Sequence, residues 1–132
     1  MRRFFLTVAA ATALAGTACS DSTGPGGSFV GSYELLTING VSLPVTNEFG
    51  ETIEGGQLEL DSNGEFLDIV NYREFPGAPV RTVQFPGTWE REGTDRIRLD
   101  YDDGDVFFVR RTSSSRIVLE DNSGNEWAYR RF

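Results

Sequence analysis

"LELDSNGEFLDIV", residues 58–70, decides the fold. Apolar and polar residues alternate on both sides of Asn63-Gly64, the period of a half-buried strand. An Asn-Gly pair between two such runs signals a hairpin with a two-residue type I′ loop. That loop sets Leu60 opposite Leu67 and Leu58 opposite Ile69. Opposed residues share a face, so these four are expected in the core. "IRLDYDDGDVFFV", residues 97–109, reads the same way, with Asp103-Gly104 in the loop. It sets Tyr101 opposite Val106 and Leu99 opposite Phe108. A three-residue loop in either hairpin would exchange the two faces, because strand side chains alternate with a period of two.

The two-residue register leaves Phe66, Val70, Phe107 and Val109 on the outer face, beside Gln57, Asp61, Arg98 and Asp100. Two readings compete for these four apolar residues. Scattered surface hydrophobes are ordinary; a contiguous set is a contact patch for a partner or for the tether. The same register makes Glu59 and Asp68 an opposed outer pair. It also places Arg110 opposite Ile97 on the core face, where an arginine must be solvated at a rim, paired, or holding an anionic group.

Short runs rich in Val, Ile, Phe, Tyr and Leu recur from Phe29 onward, with no helical period. Turn signals separate them at Asn39-Gly40, Gly55-Gly56, Asn63-Gly64, Pro76-Gly77, Asp103-Gly104 and 122–125. The expected strands are 30–38, 41–47, 57–62, 65–73, 80–85 with 88–92, 95–101, 105–112, 116–121 and 126–131. Pro86-Gly87 interrupts the fifth and points to a bulge or corner. Strands linked by hairpins must hide their edges, and pairing the last with the first does so. The expectation is an all-β chain: a small antiparallel up-and-down β-barrel of about 8–9 strands over residues 29–132, following a leader and a flexible tether.

Composition narrows the chemistry. The 132 residues suffice for one domain. All twelve basic residues are arginine, and there is no histidine, so a Ser-His-Asp or Cys-His catalytic site has no base. Acidic residues number 20, and Arg2 and Arg3 belong to the leader, so the rest of the chain is strongly acidic. Such a surface repels phosphate backbones, and nucleic acid is not an expected partner.

Residues 1–18, "MRRFFLTVAAATALAGTA", run from charged to apolar to small, the order of a secretory signal. The apolar run from Phe4 to Ala15 is shorter than the roughly 20 residues that span a bilayer. The small residues end directly in Cys19, the only cysteine. This resembles the lipobox of bacterial lipoproteins, in which the cysteine is lipidated and becomes the first residue of the mature chain. The resemblance implies acylation of Cys19, anchorage in a lipid membrane, and a place in the bacterial cell envelope facing the periplasm or exterior. Residues 19–28, with "SDSTGPGGS" after the cysteine, then read as the tether.

"VGSYEL" at 30–35 and "WAYRR" at 127–131 open and close the barrel region. They resemble the lipocalin or calycin pattern, in which an arginine of the closing strand covers a first-strand Gly-x-Trp. Gly31 matches the glycine, Tyr33 stands at the aromatic, and Arg130 or Arg131 at the arginine. The resemblance implies a barrel that carries a small apolar ligand.

The remaining motifs point to less. "DYDDGD" at 100–105 lacks EF-hand spacing and reads as a charged hairpin tip, so no metal or other cofactor is expected. Trp89, after "FPGT", belongs to the core or the barrel mouth, with a sugar platform as the alternative. The expected protein is a non-enzymatic, membrane-anchored envelope lipoprotein whose barrel is a binding or interaction domain. Its partner is a small apolar ligand held inside or an envelope protein held outside. The candidate binding residues are Phe66, Val70, Trp89, Phe107, Val109 and Arg110.

Overall fold

The computed structural model describes residues 28–132. The leader at 1–18, Cys19 and tether positions 20–27 lie outside the described residues. Ten strands follow in chain order: β1 (Gly31–Ile38), β2 (Val41–Ser42), β3 (Val45–Thr46), β4 (Thr52–Leu60), β5 (Glu65–Arg73), β6 (Arg81–Arg91), β7 (Arg96–Tyr101), β8 (Val106–Arg111), β9 (Arg116–Glu120) and β10 (Glu126–Arg131). No helix occurs among the described residues. The sheet runs from β1 through β10, β9, β8, β7, β6 and β5 to β4, and β4 pairs back onto β1. Eight antiparallel strands thus close the expected up-and-down barrel. β1 and β4 pair only at Gly31–Glu34 and Leu60–Gln57. Further along they part, and the two-residue strands β2 and β3 line them.

The hairpin register differs from the expectation by one residue. Leu60 faces Phe66 and Leu58 faces Asp68. Leu99 faces Phe107 and Asp100 faces Val106. The cause is the loop. Asp61 N–H donates to the Glu65 carbonyl (2.9 Å) and Gly64 N–H to the Asp61 carbonyl (3.1 Å), which closes three residues, 62–64. Tyr101, Gly104 and Asp105 repeat the pattern, as do Asp121, Gly124 and Asn125. Each loop is a turn ended by a glycine with positive φ: +91°, +102° and +83° at Gly64, Gly104 and Gly124. A type I′ turn needs two positive φ values, and Asn63 does not supply the first. Asn39-Gly40 does, with φ of 51° and 81°, and it makes the two-residue loop between Ile38 and Val41.

The first strand of each hairpin keeps its expected face, with Leu58, Leu60, Leu99 and Tyr101 buried, and the second strand is turned over. Phe66 and Val109, expected outside, are buried at 3% and 0% exposure. Phe66, Asp68 and Val70 point inward from β5, while Leu67 and Ile69 lie on the other face. Tyr101 and Leu99 remain inside, now facing different partners. Arg110 is outside, paired with Glu126 at 3.1 Å, and does not face Ile97. Glu59 and Asp68 are not opposed: Glu59 faces Leu67 and accepts from Gln57 at 2.6 Å.

Two further expectations change. Pro86-Gly87 does not interrupt β6, which is continuous. Pro86 is exposed, and its carbonyl accepts from Asp102 N–H at 3.0 Å. Gly87 points inward, where a Cβ would stand 2.2 Å from the Asp100 carbonyl and 2.6 Å from the Phe66 ring; only glycine lets the strands and that ring meet. Gly55-Gly56 is not a turn but lies within β4, next to a register shift between Ile53 and Gly55. A second shift, between Leu35 and Thr37, interrupts β1 against β10. Each extra residue re-aims the strand, so that Ile53 and Ile38 turn inward although they are out of phase with Leu58 and Leu35.

The two barrel ends differ. At one, residues 28–30 strap the base. Phe29 is 1% exposed, with the Arg111 guanidinium 4.3 Å from its ring centre. Tyr33 Oη donates to the Phe29 carbonyl at 2.7 Å. Arg131 donates to the carbonyls of Val30 (2.7 Å) and Ser28 (2.8 Å) while lying 4.9 Å over the Tyr33 ring. Leu58, Leu60, Ile97, Leu99 and Ile117 fill the barrel above this base. The other end, where β1 and β4 part, is open.

Candidate functional site

The open end holds a cavity of about 450 Å³. Alternation along the strands aims its walls inward: Val70 and Tyr72 from β5, Val83 and Phe85 from β6, Tyr101 from β7, Phe107 from β8. Leu119 of β9 and Trp127 and Tyr129 of β10 complete the circuit, and Ile53 faces in from β4. The aromatic rings meet edge to face, with Tyr101 centred 4.8 Å from both Phe66 and Phe107.

Carboxylates surround this apolar interior. Glu51, Asp103, Asp105 and Asp121 stand on the loops at the mouth. Asp121 is held by Trp127 Nε1–H (3.0 Å) and by the Asn125 and Ser123 amides. Burial pushes its carboxyl up, but those hydrogen bonds prevail and hold it below the usual range. Asp68 lies deeper, 7% exposed, the one buried charged side chain among the described residues. Its Oδ2 accepts from Tyr101 Oη at 2.7 Å, and its Oδ1 is buried without a partner. Burial pushes the Asp68 carboxyl up to about 6, against the lowering effect of the Tyr101 hydrogen bond. Tyr101 is itself raised, by burial first and then by the Asp68 charge, and stays a neutral donor. No arginine lines the cavity. No group of three or more metal-ligating side chains occurs among the described residues, so the site has no metal-binding set.

Of the candidate residues from sequence, Val70 and Phe107 line this cavity, and Phe66 and Val109 lie in the core. Trp89 stands toward the closed base, where its Nε1–H donates to the Asp61 carbonyl at 2.9 Å. Arg110 is on the outer wall. Gly31, Tyr33 and Arg131 meet at the base: a Cβ on Gly31 would stand 2.5 Å from Arg131 Nη1. Arg130 points away and pairs with Glu34 at 3.2 Å. Cys19 lies outside the described residues. Sequence reasoning missed Asp68, Phe85, Tyr101, Trp127 and Tyr129 as cavity residues. A signal was present: with a three-residue loop, Asp68 falls between Phe66 and Val70 on the apolar face, and an acidic residue there needs a reason.

The fold and the site together define a closed eight-stranded barrel with one end sealed and a ligand-sized aromatic cavity at the other. Compared with protein-family models, curated proteins and solved structures, the chain matches none.

Proposed function

We propose that this chain is a bacterial envelope lipoprotein, anchored through acylated Cys19, whose barrel binds a small molecule in its open end and performs no catalysis. The observation that carries the reading is the cavity: about 450 Å³, walled by apolar and aromatic side chains. Small-molecule sites commonly occupy about 300–1,000 Å³ and have walls of this kind. The alternative of an outer apolar ridge for a protein partner loses its basis, since Phe66 and Val109 are in the core and Phe107 faces the cavity. The lipocalin-like reading draws support from Arg131 over Tyr33 beside Gly31. The envelope reading rests on the leader and Cys19. Without histidine, and with one buried carboxylate rather than a converging pair, the cavity favours holding a ligand over transforming it.

The test is titration of the full chain with N-phenyl-1-naphthylamine, a neutral apolar fluorophore, alongside a Val83→Trp variant that fills the cavity. Saturable enhancement, weakened at least tenfold by the substitution, is the expected outcome. Enhancement that is absent, or unchanged in the variant, would overturn the reading.

A further inference from the structure

The cavity's electrostatics name a ligand class. Asp68 is among the residues that line the cavity, and its Oδ1 is buried with no hydrogen-bond partner. Its sister oxygen takes the only hydrogen bond the protein provides there, from Tyr101. A buried carboxylate is costly unless paired, and leaving one oxygen bare costs more than leaving a neutral group bare. Among the described residues no arginine lines the cavity: Arg111 and Arg131 are at the base, Arg110 and Arg130 pair outside, and Arg73, next to Tyr72, is held by Glu54 and the Ala78 carbonyl. The groups that face Asp68 or share its cavity are Tyr101 on β7, Tyr129 on β10, Tyr72 on β5, Glu51 before β4, Asp103 and Asp105 beside β7 and β8, and Asp121 after β9. All are neutral hydroxyls or carboxylates. Every charge that lines the cavity is therefore a carboxylate, which draws cations inward and repels anions.

We infer that the barrel selects an organic cation: a protonated or quaternary amine on an apolar or aromatic body, with the ammonium against Asp68 and the body against the aromatic walls. This deepens the proposed small-molecule binding and rests on it. The walls favour the same chemistry, because the faces of Tyr72, Phe85, Phe107 and Trp127 attract a cation as well as an apolar body. A bare metal ion fits poorly. Calcium takes six to eight oxygens, and the deep end offers one carboxylate and two phenols. A carboxyl pushed up to about 6 adds a dependence: it is half ionised there, so attraction grows as pH rises through that value and fades as pH falls through it.

An isosteric pair of probes tests this on the full chain, followed by calorimetry. Benzyltrimethylammonium carries a permanent charge, and neopentylbenzene has the same shape without it. At pH 7.5 the cation is expected to bind at least tenfold more tightly than the neutral isostere. In Asp68→Asn that preference should collapse to within about threefold while the neutral isostere still binds. In the wild type it should also shrink at least fivefold between pH 7.5 and pH 5, with the probe's own charge constant. A neutral isostere that binds as well as the cation would overturn the selectivity and leave small-molecule binding standing. A preference that survives in Asp68→Asn would assign it to the mouth carboxylates and equally overturn the inference. Failure of both probes to bind would overturn the inference and the cavity reading together. Should Asp68→Asn fail to fold, the wild-type pH profile decides: a flat profile rejects the role of Asp68.

Discussion

Asp68 titrates inside an aromatic shell, with a folded value of about 6 against an ordinary 3.8. The unfolded chain therefore gives up this proton first. Between about pH 4 and pH 6 the folded state holds the extra proton, so stability from this group is greatest below pH 4 and falls as pH rises to about 6. A shift of that size corresponds to roughly 3 kcal/mol. This is opposite to the behaviour of a salt-bridged aspartate, which loses stability on acidification. Asp68→Asn cannot ionise, so its stability relative to wild type should rise by roughly 2.5 kcal/mol between pH 4 and pH 7.5. Urea unfolding at the two pH values measures the difference; a constant offset would show that Asp68 does not titrate in this window. A bound cation would cancel part of the fall, so the ligand should protect the protein more at pH 7.5 than at pH 5.

At the scale of the element, the hairpin loop carries the most consequence. Gly104 sits at φ +102° with nothing within 4 Å of a notional Cβ, whereas Gly93 has equal space and no positive φ. Gly104→Ala should cost about 1 kcal/mol through backbone conformation alone, and Gly93→Ala should be near neutral. Thermal unfolding of the two variants separates conformation from crowding; equal effects would discount the loop geometry. The same loop explains what was legible. Most strand positions, the antiparallel order and barrel closure could be read from periodicity and turn residues; the start of β4 could not, because Gly55-Gly56 reads as a turn while the strand runs through it from Thr52. The inward face could not, because Asn-Gly and Asp-Gly suit both a two-residue and a three-residue loop, and one residue exchanges inside for outside. The cavity goes with the face: a two-residue register puts Val70 and Phe107 on an outer ridge and Asp68 on the solvent side. The shifts in β1 and β4 left no signature that periodicity could register, because each changes the phase inside a strand.

At the scale of the molecule, the barrel has polarity. Arg91, Arg111 and Arg131 lie over the rings of Phe29 and Tyr33 at the base, and Glu51, Asp103, Asp105 and Asp121 stand at the mouth. The strap brings distant parts of the sequence together: Phe132 N–H donates to the Ser32 carbonyl at 3.0 Å, and Arg131 grips Ser28. Phe132 thus pairs with Ser32, three residues from Phe29, at the base end of the barrel. A Gly/Ser bridge of about five residues would join Phe132 to Phe29, since an extended chain reaches roughly 3.3 Å per residue. New ends could then be opened between Ser113 and Ser114, in the exposed loop joining β8 and β9 at the same base. Such a permutant should keep probe affinity within about threefold and lose only about 1–2 kcal/mol of stability. Calorimetry and urea unfolding check both, and loss of probe binding with the fold intact would show that the base and the mouth are coupled. The eight strands thus form a cycle. Order around it, rather than order along the polypeptide, specifies the container, and the place where the sequence is cut is a matter of convenience.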